Sequence, residues 1–263
     1  TAKLAIRFGL AISGGDAYDA NLGFSIAANA CTTLWDSLDK LSPAALRSLF
    51  NAIRRAMTDA PSPSSTARNE TANMLRAVQA IQDAFLSNDI KPLQDALGPS
   101  AQPAFSYLVN LKAKPEQQQV EYFQAFGQEA EDKGKAYAQM LSKPSETWSD
   151  LPQPAGDRPW KRFAAAYFST IDDLPGWWQM NQARLRLLAI RCALIARVQE
   201  RKPLPVDLRA LPLDLRTDPF TGRDFRYTPK GSEFSLYSVG EDRRDDGGDG
   251  GPTGTTPDVT FER

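Results

Sequence analysis

The chain of 263 residues predicts a mainly α fold with a C-terminal α+β unit: a helical bundle or array, then one helix packed on a small three-stranded antiparallel sheet. Three observations carry this reading. From Ala2 to about Gln199, apolar residues recur at spacings of three and four, the period of helices with one buried face. After Lys202-Pro203 the pattern changes to short alternating runs separated by turn residues, as strands and hairpins require. Between the two, residues 143–160 carry prolines at 144, 152, 154 and 159, which reads as a long surface connection. The expected units are therefore 1–158, helical, and 159–263, helix plus sheet.

Each element follows from local signals. In residues 17–40, Leu22, Ile26, Leu34 and Leu38 recur near helical spacing, and Asp16 after Gly14-Gly15 is placed to cap the first turn. No strand precedes these glycines and no phosphate-loop pattern follows them, so they read as a turn. Ser42 caps the next helix and Pro43 takes its first position; Leu46, Leu49, Phe50, Ile53 and Met57 form its face, and the Pro61–Ser65 run ends it. A third helix over 65–87 buries Met74, Leu75, Val78, Ile81 and Phe85. Shorter helices are expected at 91–97, 101–112 and 115–141. Trp160 to Leu174 reads as helix, Pro175-Gly176 as an interruption, and Trp177 to Gln199 as the strongest helix, with Leu187, Ile190, Leu194 and Val198 on one ridge and Leu188, Cys192 and Ile195 on another. Phe225 and Tyr227, then Phe234 and Leu236, alternate with polar residues across a Pro229–Ser232 hairpin, and Val259 with Phe261 suggests a third strand. So small a sheet needs the 177–199 helix to cover its apolar face.

Composition removes several kinds of chemistry. There is no histidine, so neither a Ser-His-Asp nor a Cys-His site nor a histidine metal centre can be built. Cys31 and Cys192 are the only thiols, which excludes zinc knuckles, iron-sulfur motifs and CxxC pairs. They read either as buried thiols or as one long-range disulfide; buried thiols are favoured because Cys192 falls on an apolar stripe. The 31 basic and 32 acidic residues nearly balance, whereas a nucleic-acid protein is expected to be basic. Residues 241–263 hold seven acids against three arginines. No apolar run reaches the ~20 residues of a membrane span. The chain opens on Thr1, and the expectation is that a tag, a leader or a membrane anchor preceded it.

One segment carries a resemblance. Asp218-Pro219-Phe220, the aromatic strand Phe225–Tyr227, the strand Phe234–Ser238, then Gly240, Asp242 and a glycine- and aspartate-rich loop to Asp258 resemble the C-terminal half of the major pseudopilins of type II secretion systems. Behind an alanine-rich helical region, the same segment looks like a group of planctomycete-type bacterial proteins. The resemblance implies an extracytoplasmic, non-enzymatic structural or interaction protein with a protein partner, and calcium in the acidic loop. Pseudopilins run from a cleavage site and a long apolar helix straight into the sheet. Here nearly 200 helical residues come first, so filament assembly is not carried over.

Calcium takes roughly 6–8 oxygen ligands. Asp242, Asp245, Asp246, Asp249 and Asp258 offer carboxylates, and Gly247, Gly248, Gly250 and Gly251 let the backbone turn. Asp242 and Asp258 fall nearest the family's ligand positions. The alternative is a solvated acidic loop whose charge Arg243 and Arg244 offset in part.

Other features have plainer readings. Trp160, Phe163, Tyr167, Phe168 and Trp177-Trp178 could line a ligand groove or a partner interface, but packing at the junction between the helical body and the sheet is the expected use. Glu70 and Asp172-Asp173 are the acids to consider for a carboxylate-based hydrolase acting in a groove between the two units; Asp172-Asp173 reads more simply as a helix end. Arg184, Arg186, Arg191 and Arg197 read as the solvated or salt-bridged side of an amphipathic helix. A helical adaptor that binds peptides in an exposed apolar groove is a further alternative.

Overall fold

The computed structural model describes residues 2–87, 89, 91, 108–148, 161–248 and 258–260, with the backbone alone for 161–171. The expected helices at 91–97 and 101–112 lie largely outside these residues. So do the connection beyond Trp148, Trp160, Asp249, Phe261 and the side chains of Phe163, Tyr167 and Phe168.

The helices are α1 (Ala2–Ile12), α2 (Ala17–Trp35), α3 (Pro43–Asp59), α4 (Pro63–Leu86), α5 (Glu116–Leu141), α6 (Lys161–Gln199) and the one-turn α7 (Leu213–Arg216); two strands follow, β1 (Arg226–Lys230) and β2 (Glu233–Tyr237). The predicted caps form. Asp16 accepts the Asp19 amide and Ser42 accepts the Ala45 amide, each satisfying an orphan donor of the first turn. α4 starts earlier than expected, with Ser62 as cap and Pro63 in the first turn, where proline's missing N–H costs nothing.

Two apolar cores divide these elements. The first joins Ile6 and Leu10 of α1, Cys31 and Trp35 of α2 and the α3 face to the second half of α6, and it extends to Phe220, Phe225, Leu236 and Val259. The second joins Ala20 and Phe24 of α2 to the faces of α4 and α5, with Trp148 and Leu174. Both α2 and α6 thus contribute one half to each core, and the first core draws on residues from both sides of position 158.

α6 corrects the expected break at Pro175-Gly176: the helix runs unbroken with Pro175 inside it. Proline removes one backbone donor, a cost of about 3 kcal/mol. The fully buried Leu174 and the packing of Trp177 and Trp178 on the second core offset it. Trp178 meets Trp148 at 5.0 Å between ring centroids, so Trp177 and Trp178 do pack, but on the second core, which holds no strand residue.

The arginines of α6 also differ from expectation. Arg186 donates to the Thr217 carbonyl at 2.6 Å, and burial pulls its guanidinium below its ordinary pKa, with Asp214 and Asp218 opposing that shift. Arg191 lies 4.3 Å from the Trp35 ring centroid and 5.8 Å from that of Phe234. Cation–π contacts of this kind replace water around a buried charge. Of the four arginines only Arg197 is exposed.

The sheet has two strands. β1 and β2 pair antiparallel with Tyr227 opposite Leu236 and Pro229 opposite Phe234, and Gly231 turns the hairpin at φ +65°. The expected third strand is reduced, among the described residues, to one bridge between Ser238 and Val259. Cys31 and Cys192 are unbonded and buried, and desolvation pushes both thiols up to about 12.

α1 and α2 cross at glycines. A Cβ on Gly9 would lie 2.4 Å from the Gly23 carbonyl oxygen, and one on Gly23 would lie 2.3 Å from that of Gly9. The two backbones approach as closely as they do because neither residue has a side chain.

Candidate functional site

The C-terminal unit is organised by a carboxylate. Asp218, 2% exposed, accepts the Phe220 amide at 2.9 Å on Oδ1, and the Ser238 hydroxyl at 2.8 Å and the Val239 amide at 3.3 Å on Oδ2. The turn after it is strapped to the helices: the Pro219 carbonyl accepts from Ser145 Oγ at 3.0 Å and Gln179 Nε2 at 3.2 Å. Desolvation pushes the Asp218 carboxyl above its usual range, and its three hydrogen bonds and the charge of Arg186 pull the other way. The sequence singled out Asp218-Pro219-Phe220 only as part of the resemblance, and its use as the node between turn and strand end was not legible.

The acidic loop begins where β2 ends. Asp245 is fully engaged: it accepts the Tyr237 hydroxyl at 2.8 Å and the Gly247 amide at 3.2 Å, and it pairs with Arg226 at 2.8 Å. These contacts, the Tyr237 hydrogen bond foremost, hold its carboxyl below the usual range, while burial and then Asp245 push Tyr237 up to about 12. Asp242 Oδ1 accepts the Arg244 amide at 3.0 Å, an Asx turn. Asp246 donates its own amide to Asp258.

Asp258 differs from the rest. It is 2% exposed, and its Oδ2 accepts the amides of Gly248 at 2.7 Å and Asp246 at 3.1 Å. Gly247 and Gly248, at φ +80° and +85°, allow the turn that aims these donors. Among the described residues, its buried Oδ1 has no hydrogen-bond partner. Burial pushes this carboxyl up, the Gly248 amide offsets part of that, and the charge of Asp245 adds to it. A buried carboxylate oxygen without a partner is costly, and it is the kind of group a hard cation satisfies.

Of the five predicted ligands, then, Asp258 keeps a buried oxygen that a cation could satisfy, and Asp245 is already engaged by Arg226 and Tyr237. Asp242 and Asp246 are not ion-paired among the described residues, and Asp249 lies outside them. No group of three or more acids or thiols is gathered for a metal among the described residues.

Two acids considered for hydrolysis have other partners. Glu70 is buried and accepts the Ala17 amide at 2.9 Å, satisfying an orphan donor at the start of α2. Asp172 does not end a helix: within α6 it pairs with Lys133 and accepts the Tyr137 hydroxyl at 2.6 Å, joining α5 to α6. A polar cleft of about 270 Å³ brings Glu146, Asp218 and Asp224 together with Arg223, Arg226 and Arg243. Asp218 is consumed by its three bonds and Asp224 pairs with Arg216 at 3.3 Å, so neither is placed as a free acid or base.

One surface feature corrects the apolar pattern read over 17–40, in which Leu22 is counted, and the rest of it went unread in the sequence. Leu4 and Phe8 of α1 and Tyr18 and Leu22 of α2 are exposed, at 68%, 59%, 72% and 46%. At about 100° per residue, each pair falls on the side of its helix turned away from the core, measured from the Gly9–Gly23 contact. Both pairs therefore lie on the outer side of the α1–α2 hairpin. The i, i+4 spacing of each pair was the available signal.

No helix among the described residues is long and apolar enough to cross a membrane. No family model, curated protein or solved structure matches the chain.

Proposed function

We propose that the chain is a non-enzymatic structural or protein-interaction protein that works outside the cytoplasm, and that its pseudopilin-like C-terminal unit is stabilised by calcium. The observation that carries the interaction reading is the exposure of Leu4, Phe8, Tyr18 and Leu22 on the outer side of the α1–α2 hairpin. Four large apolar side chains exposed on the outer side of one hairpin favour a contact surface, where a single exposed one would not. The commitment of Asp218, Asp172 and Glu70 to structural hydrogen bonds supports a role without catalysis. The location outside the cytoplasm rests on the C-terminal resemblance.

The test is the double substitution Phe8→Glu with Leu22→Glu. Both side chains point to solvent, so the thermal midpoint is expected to stay within about 2 °C of wild type. The native complex formed in extracts is expected to fall to the size of the free chain. An unchanged complex would contradict the reading.

The calcium part rests on Asp258. The ion would supply positive charge to the orphaned Oδ1, with its remaining ligands drawn from loop carbonyls and water rather than from a cluster of three acids. Millimolar calcium is expected to raise the unfolding midpoint over that in chelator, by about 2.7 kcal/mol of stabilisation at a hundredfold excess over Kd. Asp258→Asn keeps an acceptor for the Gly248 and Asp246 amides and removes the buried charge. In chelator it is expected to be at least as stable as wild type, and in calcium it should show no rise. A calcium response that survives in Asp258→Asn would place the ion elsewhere, and no response in wild type would remove it.

A further inference from the structure

We infer that a cavity between α3 and the C-terminal end of α6 binds a small amphipathic carboxylate: an apolar body carrying one negative charge. The cavity has a volume of about 420 Å³, within the range of small-molecule sites. Its floor is apolar, formed by Phe50 of α3, Ala193 and Leu194 of α6, and Pro205 and Leu211 of the segment that closes it. Its rim is charged and unbalanced, with Arg47, Arg197 and Lys202 against the single carboxylate of Glu200.

The rim is built rather than incidental. Glu200 pairs with Arg47 and, at 2.8 Å, with Lys202, which draws two cations to the same side of the mouth. Arg197 donates from Nε and Nη2 to the Pro203 carbonyl at 3.1 and 3.0 Å; this fixes the guanidinium at the cavity it lines. The closing segment is itself anchored, since Tyr227 donates its hydroxyl to the Pro205 carbonyl at 2.9 Å.

The C-terminal end of a helix ordinarily repels anions. Here the last carbonyls of α6 are already taken: Ala196, Val198 and Arg197 accept the amides of Glu200, Arg201 and Lys202. Side-chain charge therefore sets the sign at the mouth, and after Glu200 is counted two positive charges remain. A cationic or neutral amphiphile would gain the floor without the rim. An inorganic anion would gain the rim without the floor. The occupant that satisfies both is an apolar acid, from a free fatty acid to an aromatic carboxylate, held head outward.

The probes are decanoate, decylammonium and decanol, titrated into the full chain by calorimetry and thermal shift. Decanoate is expected to bind saturably below about 1 mM and at least about tenfold more tightly than either of the others, the margin shrinking with added salt. Two variants locate the site. Arg47→Glu with Lys202→Glu changes exposed rim positions only and should weaken decanoate about tenfold or more while leaving decanol unchanged. Ala193→Phe fills the floor and should abolish binding of all three. The exposed outer side of the α1–α2 hairpin is left intact in both variants, so binding that persists in Ala193→Phe would show that the probes sit there and would overturn the proposal. Equal affinity for decanoate and decylammonium, or no saturable binding at about 1 mM, would overturn it as well.

Discussion

Asp218→Ala is expected to lower the unfolding free energy by about 3 kcal/mol. The substitution strands three buried donors, the amides of Phe220 and Val239 and the Ser238 hydroxyl. It also loosens the turn that the Pro219 carbonyl ties to Ser145 and Gln179, and with it Phe220, which is 1% exposed in the first core. Asp218→Asn retains an acceptor and should lose about 1 kcal/mol. Urea unfolding of the two variants checks this. A loss of less than about 1 kcal/mol in Asp218→Ala would mean that the C-terminal unit is held by its apolar contacts alone.

Gly23→Ala is expected to cost about 2–3 kcal/mol, although alanine is the better helix former. Its Cβ would stand 2.3 Å from the Gly9 carbonyl oxygen and 2.9 Å from the Ser13 amide nitrogen. Both are backbone atoms and cannot rotate away, so α1 would have to move off α2 and lift Ile6 and Leu10 from the first core. Gly127 in α5 is the internal control, with nothing within 4 Å of its would-be Cβ. Gly127→Ala should raise stability by about 0.5–1 kcal/mol. Opposite signs at the two positions, measured by chemical denaturation, are the expected result, and a gain at both would contradict the close crossing.

Much of the helical architecture was legible because its signals are local. The Asp16 and Ser42 caps, the α3 and α4 faces and the Phe225–Tyr237 hairpin each follow from a period or a cap within a few residues. What was not legible depends on partners distant in sequence. Pro175 reads as a breaker unless it is known that Leu174 and Trp178 pack on α4, α5 and Trp148. Arg191 reads as a surface charge unless Trp35 and Phe234 are known to flank it. Glu70 reads as an isolated acid until the Ala17 amide, 53 residues away in sequence, is found on it.

The candidate site divides in the same way. The acidic loop stood out by composition, and only the resemblance set Asp242 and Asp258 apart from its other aspartates. Packing separates them: Arg226 and Tyr237 take Asp245, and burial leaves one oxygen of Asp258 without a partner among the described residues. The exposed pairs on α1 and α2 were missed because an apolar i, i+4 pair is the mark of a buried face. Only the side on which the core lies distinguishes the two cases.

The claim that the outer face of the α1–α2 hairpin is a contact surface is tested most directly by site-specific photo-crosslinking. A photoreactive residue is placed at position 8, at position 22, and at position 230 on the exposed hairpin as a control. The same discrete adduct from positions 8 and 22, absent from position 230 and competed by unlabelled chain, is the expected result. No adduct from either helix position, or the same adducts from position 230, would contradict it.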